Sequence, residues 1–348
     1  MSEDVCRVCD NGTSNKLHRA REMLQGTRDE FDYIECASCG TLQIREVPEL
    51  GPYYAGAGGA AYYSMRTSGV DSTAGGGLKR KLLRSAGTFL RRRVVSYYGG
   101  RRRRFGELRH PLGRLLAGRG WRAVSGLPEF LRDAPVDLGF SAADGVLDVG
   151  SGTGDTLLWL RYFGFRDLVG IDPFLEKDVE FENGVRLLKA ELSDLSRLFG
   201  LVLASHSLEH LPDTRQALRD IHRLLEPGHY AVVRIPLLAR AWREYGVNWV
   251  QMDAPRHLFL FTAETFKALA EEGGFAVDAV VYDSTGFQFW GSEQYLRDIP
   301  LTTDVRSHFI NPTNSVFTAE EIAAFEARAA ELNRAGEGDQ AVFYLRKI

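Results

Sequence analysis

Three groups of residues in this chain have the types and spacing to do chemistry. The first lies between Val146 and Asp155, where VLDVGSGTGD reads as an apolar strand turning through Gly150, Gly152 and Gly154 into a helix. Glycines in such a turn let a ligand come close to the backbone. A dinucleotide-binding turn looks similar but has its third glycine three residues after the second, where this chain has Asp155. A carboxylate at a helix start repels a pyrophosphate and tolerates a cation. Asp148, on the strand itself, could pair with an ammonium group. Asp172 stands 18 residues after Gly154, at the end of the next strand, spaced to accept hydrogen bonds from both hydroxyls of a ribose. The three acids predict a pocket for a positively charged nucleoside. The competing reading is a glycine-rich turn in some other α/β protein.

The second group is the cysteines. All four fall in the first 39 residues, as Cys6-x-x-Cys9 and Cys36-x-x-Cys39 with 26 residues between the pairs. Four thiolates make the closed tetrahedral set that zinc prefers at structural sites, and a redox role for the CxxC pairs is the alternative. Such a centre would staple a module too poor in apolar residues to fold alone. Its other use would be to help shape a substrate pocket. The third group is His206 and His210, in HSLEH, and His257, in PRH. All three follow the carboxyl ends of expected strands, where α/β sheets bind ligands, and imidazole is the base best matched to neutral pH. Structural histidines bonded to loop backbone are the alternative, and Glu209 reads as an orienting carboxylate.

The elements that must hold these groups follow from the pattern after Gly145. Short β-rich runs alternate with amphipathic stretches: GVLDVG with DTLLWLRYFG, LVGID with FLEKDVEFE, LFGLVLASH with DTRQALRDIHRLLE, then HYAVVRIP. This predicts an α/β domain with a parallel sheet flanked by helices. A helix over 263–272 and the strand FAVDAVVYDS follow, and some 55 residues, with a helix at 319–333, precede the final strand AVFYLRK. The chain therefore divides into a zinc-binding module (1–47), a linker and basic helical region (48–140) and a catalytic domain (141–348) with an insertion at 286–340.

The chain has 348 residues and a net charge of -3, yet 78–122 carries 15 Lys or Arg against Glu107 alone. That segment is thus +14 and the remainder -17. A block this basic should meet an anionic partner or lie on the chain's own acidic body. Residues 78–98 place apolar side chains at helical intervals opposite arginine and lysine, so 78–104 could touch an anionic membrane surface or remain a solvated face. No apolar run reaches the length of a spanning helix, and MSEDVCRVCD lacks the order of a secretory signal. A cytoplasmic protein, peripheral to a membrane at most, is expected.

From Gly145 onward the chain resembles the class I S-adenosylmethionine-dependent methyltransferases. DVGSGTG is similar to their first motif, GID to the strand bearing their ribose-binding acid, LVLASHSLEHLPD to their fourth strand and its loop, and PRHLFLFT to the segment before their fifth helix. Gly200 departs from the acid usual before the fourth strand. The resemblance implies a Rossmann-like seven-stranded sheet. It places Asp148, Gly150, Gly152 and Gly154 around the methionine end of the cofactor, Asp172 on the ribose, Glu191 or Leu192 at the adenine edge, and Ser205 and His206 beside the cofactor. His210 and His257 match positions that face the acceptor in some sugar methyltransferases.

The double cysteine knuckle, with its YYAGAGGAAYYS linker, also resembles methyltransferases of sugar and polysaccharide biosynthesis. Arg256 stands where the carbon-methylating members carry an acid, and their long carboxyl-terminal domain is missing. The expected reaction is therefore methyl transfer to a hydroxyl of a sugar, nucleotide-sugar or lipid-linked glycan, with His210 or His257 as base. Arg256, Trp249, Phe287, Phe289, Trp290 and Tyr295 would form the acceptor cap. A zinc-ribbon RNA methyltransferase is the alternative, since 91–105 interleaves arginine with aromatics; a pI near 6.3 counts against nucleic acid as partner. A non-catalytic S-adenosylmethionine-binding protein is the third reading.

Overall fold

The computed structural model describes residues 4–55, 128–139, 141 and 143–348. The basic block at 78–122, and with it the expected membrane-facing or nucleic-acid-facing surface, lies outside the described residues, as does most of the 48–140 region.

The amino-terminal part contains β1 (Lys16–Arg21), β2 (Glu30–Glu35), β3 (Leu42–Ile44) and a short helix α1 (Gly51–Ala55). After the single-turn α2 (Glu129–Arg132) come β4 (Val146–Val149), α3 (Asp155–Tyr162), β5 (Leu168–Ile171), β6 (Val179–Glu180), β7 (Val185–Leu188) and β8 (Phe199–Ser205). The chain continues through α4 (Thr214–Leu224), β9 (Leu225–Pro236), α5 (Arg240–Tyr245), β10 (Phe259–Leu260), α6 (Ala263–Glu272) and β11 (Phe275–Tyr282). It ends with α7 (Phe287–Leu296), α8 (Ala319–Ala335) and β12 (Gln340–Lys347).

The large sheet runs β11-β12-β9-β8-β4-β5-β7-β6. Pairing is parallel from β9 to β7 and antiparallel at both edges. Seven of these strands form the expected α/β methyltransferase sheet. The eighth, β6, replaces the amphipathic helix expected at FLEKDVEFE. Asn183 and Gly184, the latter at φ +86°, turn the chain back so that Val179 pairs with Leu187 and Glu180 with Arg186. An Asn-Gly turn between alternating residues favours a hairpin over a helix.

Period-two alternation divides β4 between the two faces of the sheet: Leu147 and Val149 join one apolar core, Val146 the other. The flanking helices follow their caps. In α4, Asp213 accepts from the Gln216 amide at 2.8 Å, and Ala217, Leu218, Ile221 and Leu224 form its buried stripe. In α8, Thr318 and Glu321 cap each other's backbone amides, and Gly336 closes the helix in the left-handed region. No helix among the described residues is long and apolar enough to cross a membrane.

The small sheet runs β1-β2-β3-β10, so the cysteine module takes its last strand from the segment between α5 and α6. This continuity brings distant residues together. The Tyr33 hydroxyl donates to the His257 carbonyl at 3.0 Å, and the Leu301 and Thr302 amides donate to the carbonyls of Met23 and Leu24.

Glu22, fully buried, accepts from the amides of Gln25, Gly26 and Thr27 at 2.7–2.9 Å and faces Arg256 at 3.9 Å. Removing a buried carboxylate that satisfies several donors and faces a buried cation costs on the order of 3–5 kcal/mol. Glu22→Ala should lower the free energy of unfolding, read from denaturant titration, by that much, and Glu22→Gln, which keeps an acceptor oxygen, by less. A loss under about 1 kcal/mol for the alanine variant would mean that water satisfies those amides.

Candidate functional site

The strand order reverses direction at β4, whose neighbours are β5 on one side and β8 on the other. Ligands of open α/β sheets bind in the crevice at such a switch point. A cavity of 870 Å³ opens there.

The glycine turn forms one wall. Gly150, Gly152 and Gly154 have φ of +72°, +50° and +81°, a region in which any side chain would be strained. A Cβ on Gly150 would lie 2.6 Å from that of Ser207, and one on Gly154 would lie 2.9 Å from Leu187. The first therefore opens the loop toward β8, and the second lets α3 pack on the sheet. Asp172 braces this turn: its carboxylate accepts from the amides of Gly152 at 3.0 Å and Phe174 at 2.9 Å. Each oxygen keeps a second lone pair with which to accept a ligand hydroxyl. Asp148, Gly150, Gly152, Ser205 and His206 line the cavity; Asp172, Gly154, Glu191 and Leu192 do not. Glu191 is exposed, its amide bonded to Asp194, and Leu192 belongs to the core.

Six acids line the cavity against two arginines: Glu129, Asp148, Asp155, Asp253, Asp283 and Asp339 against Arg234 and Arg256. Both arginines are engaged, Arg234 with Asp283 at 2.7 Å and Arg256 with Asp253 through two nitrogens. Burial opposes the charge of Asp253, but the adjacent Arg256 outweighs it and holds the carboxyl at about 2. The hydroxyls of Ser151 and Ser207, beside the glycine turn, are buried without a protein partner. A negative lining, an open backbone cradle and two orphaned hydroxyls suit a cationic nucleoside such as S-adenosylmethionine.

The three histidines also line the cavity, each in a different electrostatic setting. His206 Nε2 lies 3.1 Å from Nη1 of Arg234, which can only donate, so this lone pair is spent. Nδ1 of His206 then carries the proton and faces Glu209 at 3.3 Å. His210 Nδ1 is 2.9 Å from the Arg256 carbonyl and 3.1 Å from the Tyr54 hydroxyl. His257 Nδ1 is 2.8 Å from the Gln251 carbonyl. A carbonyl only accepts, so both rings carry the proton on Nδ1 and keep Nε2 as the lone-pair nitrogen. The two rings stand 4.8 Å apart, edge to face. Burial, reinforced by His257, pushes His210 below the ordinary histidine value. Of the three, His210 and His257 retain the nitrogen that a base needs, whereas His206 is committed to Arg234.

The expected acceptor cap is divided by the structure. Phe287, Trp290 and Tyr295 line the cavity, together with Phe309 from the same insertion. Phe289 and Trp249 do not. Phe289 stacks on Phe325 in the core, and the Trp249 indole donates to the buried Asp339 at 2.8 Å, because a buried N–H must find an acceptor. Arg256 reaches the cavity, but its guanidinium is held by Asp253, the Tyr53 carbonyl and Glu22. Sequence reasoning missed Leu24, Tyr53 and Tyr54, which bring the amino-terminal module and the start of its linker into the lining. Tyr53 and Tyr54 open the aromatic linker that the sequence showed, but nothing in it placed them in the cavity, and Leu24 carried no signal.

The four cysteines converge as expected of a metal centre, with all four sulfurs within 4.8 Å of one another and none in a disulfide. The pairs Cys6–Cys39 and Cys9–Cys36 are 3.7 and 3.4 Å apart, close to the ~3.8 Å of tetrahedral thiolates at zinc. Amides of Val8 and Ser38 point at the sulfurs of Cys6 and Cys36 at 3.4 Å. The four thiolates could hold zinc.

The family described as "Methyltransferase domain" matches residues 101–280, just over half of the chain. No curated protein matches. Solved structures similar to this chain include S-adenosylmethionine-dependent methyltransferases from Thermotoga maritima, Mesorhizobium loti and Archaeoglobus fulgidus, at 16%, 18% and 20% identity. They cover 67%, 65% and 67% of this chain and 97% of each of theirs, with a TM-score of 0.39 in every case. At that likeness they carry no functional conclusion.

Cobalt(II) added to the reduced protein should give the intense thiolate charge-transfer absorption of a four-sulfur centre. Cys36→Ser, which removes one of four sulfur ligands, should lower that absorption by at least about a quarter and weaken cobalt binding in a spectrophotometric titration. An unchanged spectrum in the variant would exclude the four-thiolate set.

Proposed function

We propose, from the premise that this chain belongs to the S-adenosylmethionine-dependent methyltransferases, that it methylates a hydroxyl oxygen of a sugar or glycan. The observation that carries this reading is the meeting, in one cavity, of an acidic glycine turn and two imidazoles whose Nδ1 atoms are bonded to carbonyls, leaving Nε2 as the lone-pair nitrogen. S-adenosylmethionine, when bound, supplies an electrophilic methyl group on a sulfonium.

Asp148 and the turn through Gly150 and Gly152 would hold the methionine end, with Ser205 and His206 beside it. Asp172, bonded to the turn, would accept from the ribose, and Glu191 or Leu192 would border the adenine. These residues serve alignment, which dominates an in-line displacement. A hydroxyl is a weak nucleophile until its proton is taken, and Nε2 of His210 or His257 would accept that proton as the oxygen takes the methyl group. Glu209 would orient and balance the imidazole. The aromatics of the insertion, with Tyr53 and Tyr54, supply flat apolar surfaces, and the acids supply acceptors for sugar hydroxyls. The same acids repel a phosphodiester, which weighs against RNA as the acceptor. The zinc module contributes by setting Leu24, Tyr53 and Tyr54 in place.

Gly150→Ala and Asp148→Asn should each remove the heat of S-adenosylmethionine binding in calorimetry. His210→Ala and His257→Ala should leave that heat within a few-fold in affinity, and at least one of them should lower turnover by about 10²–10⁴-fold. Transfer of labelled methyl from the cofactor into fractionated extract should put label into carbohydrate or glycolipid. Label in RNA alone, or binding with no transfer, would overturn the acceptor assignment.

A further inference from the structure

We propose that Glu209, His210 and His257 form a second metal site, distinct from the cysteine centre, for a borderline divalent cation such as zinc, cobalt(II) or iron(II). One ligand atom from each residue lies within 4.8 Å of the others. The proposal rests on the methyl-transfer reading only for its meaning, because the site faces the cavity in which that reaction is placed.

The first observation is a buried carboxylate whose neighbours of opposite charge are imidazoles alone. Glu209 is 0% exposed, and neither carboxylate oxygen accepts a hydrogen bond. Its neighbours are His206 Nδ1 at 3.3 Å and His257 Nε2 at 3.9 Å, near enough for attraction and outside hydrogen-bond geometry. Stripping water from a carboxylate and returning no hydrogen bond costs several kcal/mol, so the position calls for a cation. The two arginines of the cavity wall cannot serve, since Asp283 holds Arg234 and Asp253 holds Arg256.

The second observation is independent of charge. A ligating imidazole almost always donates its other N–H to a carbonyl or carboxylate, which sets the tautomer and the ring plane. Both rings already have this outer shell, His210 through the Arg256 carbonyl and His257 through the Gln251 carbonyl. The Tyr33 hydroxyl holds the His257 carbonyl in turn.

Two imidazoles and one carboxylate match a three-ligand open site, whereas magnesium and calcium take oxygen sets. Ligand atoms on zinc stand about 3.4 Å apart, so side-chain shifts of about an ångström would close the set. The remaining coordination position would face the cavity, which His210 and His257 both line. With both Nε2 atoms on the ion, it would take over from the imidazole base: it would select acceptors that present oxygen and lower the pKa of the bound hydroxyl, whose proton would leave to solvent as the oxygen takes the methyl group. The rival occupant is a proton on His257 Nε2, which also faces Asp253 at 3.7 Å.

The test is the metal content of the full-length protein after loading with zinc and desalting, measured by plasma mass spectrometry. The wild type should retain two equivalents, and Glu209→Gln and His210→Ala one each, with affinity for the second ion reduced at least tenfold. His210→Ala alters a half-buried position and guards against misfolding of the glutamine variant. One equivalent in the wild type, or two in both variants, would overturn the metal site in favour of the proton. Calorimetry with S-adenosylmethionine on the same samples separates the two ideas. Normal heat with a single equivalent ends the metal proposal alone, and no heat in a wild type holding two equivalents ends the methyl-transfer reading alone.

Discussion

The architecture of the site depends on a buried ionic group at the seam between the cysteine-bearing sheet and the segment that supplies its last strand. The Arg256 guanidinium is almost fully buried, with Asp253 on one side, Glu22 from the module on the other, and the Tyr53 carbonyl completing its donors. Taking such charges out of water is costly, and only near-complete pairing offsets it. Every partner must therefore be in place at once. One comes from the segment between α5 and α6, one from the turn after β1 and one from α1. The seam consequently orders as a unit, and His257, the next residue, inherits its position from it.

The same reasoning separates two buried carboxylates that the sequence does not distinguish. Glu22 has three backbone amides and needs nothing further. Glu209 has none on its carboxylate and is surrounded by imidazoles. Burial works against its charge, yet His206 and the neighbouring rings outweigh it and hold the carboxyl below its ordinary range. Satisfied polar groups rigidify a fold, while unsatisfied ones mark places where a ligand or proton completes the structure. By that criterion Glu22 supports the fold and Glu209 belongs to the site.

What was legible in the sequence was local. The helix α6 lies over 263–272 as expected because Thr262 caps its start and Gly273 and Gly274 end it, and α8 begins at 319 for a similar reason. The glycine turn could be read because no other residue type tolerates three left-handed positions in five. FLEKDVEFE was misread as an amphipathic helix: the alternation of Val179, Glu180, Phe181 and Glu182 before Asn183-Gly184 is a hairpin signal, and pairing with β7 realises it. The direction in which an aromatic side chain points was equally hidden, so Trp249 and Phe289 were expected in the cavity and lie in the core. Tyr54 and Tyr33 could not be found, since their partners stand 156 and 224 residues away.

These long-range bonds give the small module a function that its chemistry alone would not. Displacement at a methyl group is sensitive to placement, and a shift of about an ångström can cost a hundredfold in rate. One wall of the cavity is tied to the central sheet, because Asp172 fastens the glycine turn to the strand beside it. His210 and His257 have no such strand: they sit in a short helical turn and a loop, and their orientation comes from the carbonyls of Arg256 and Gln251. That loop is in turn held by Tyr33 and by β10, which completes the module's own sheet. A metal held by the four cysteines would then act on the proposed reaction from outside the cavity, by ordering the sheet against which the loop of His257 is registered.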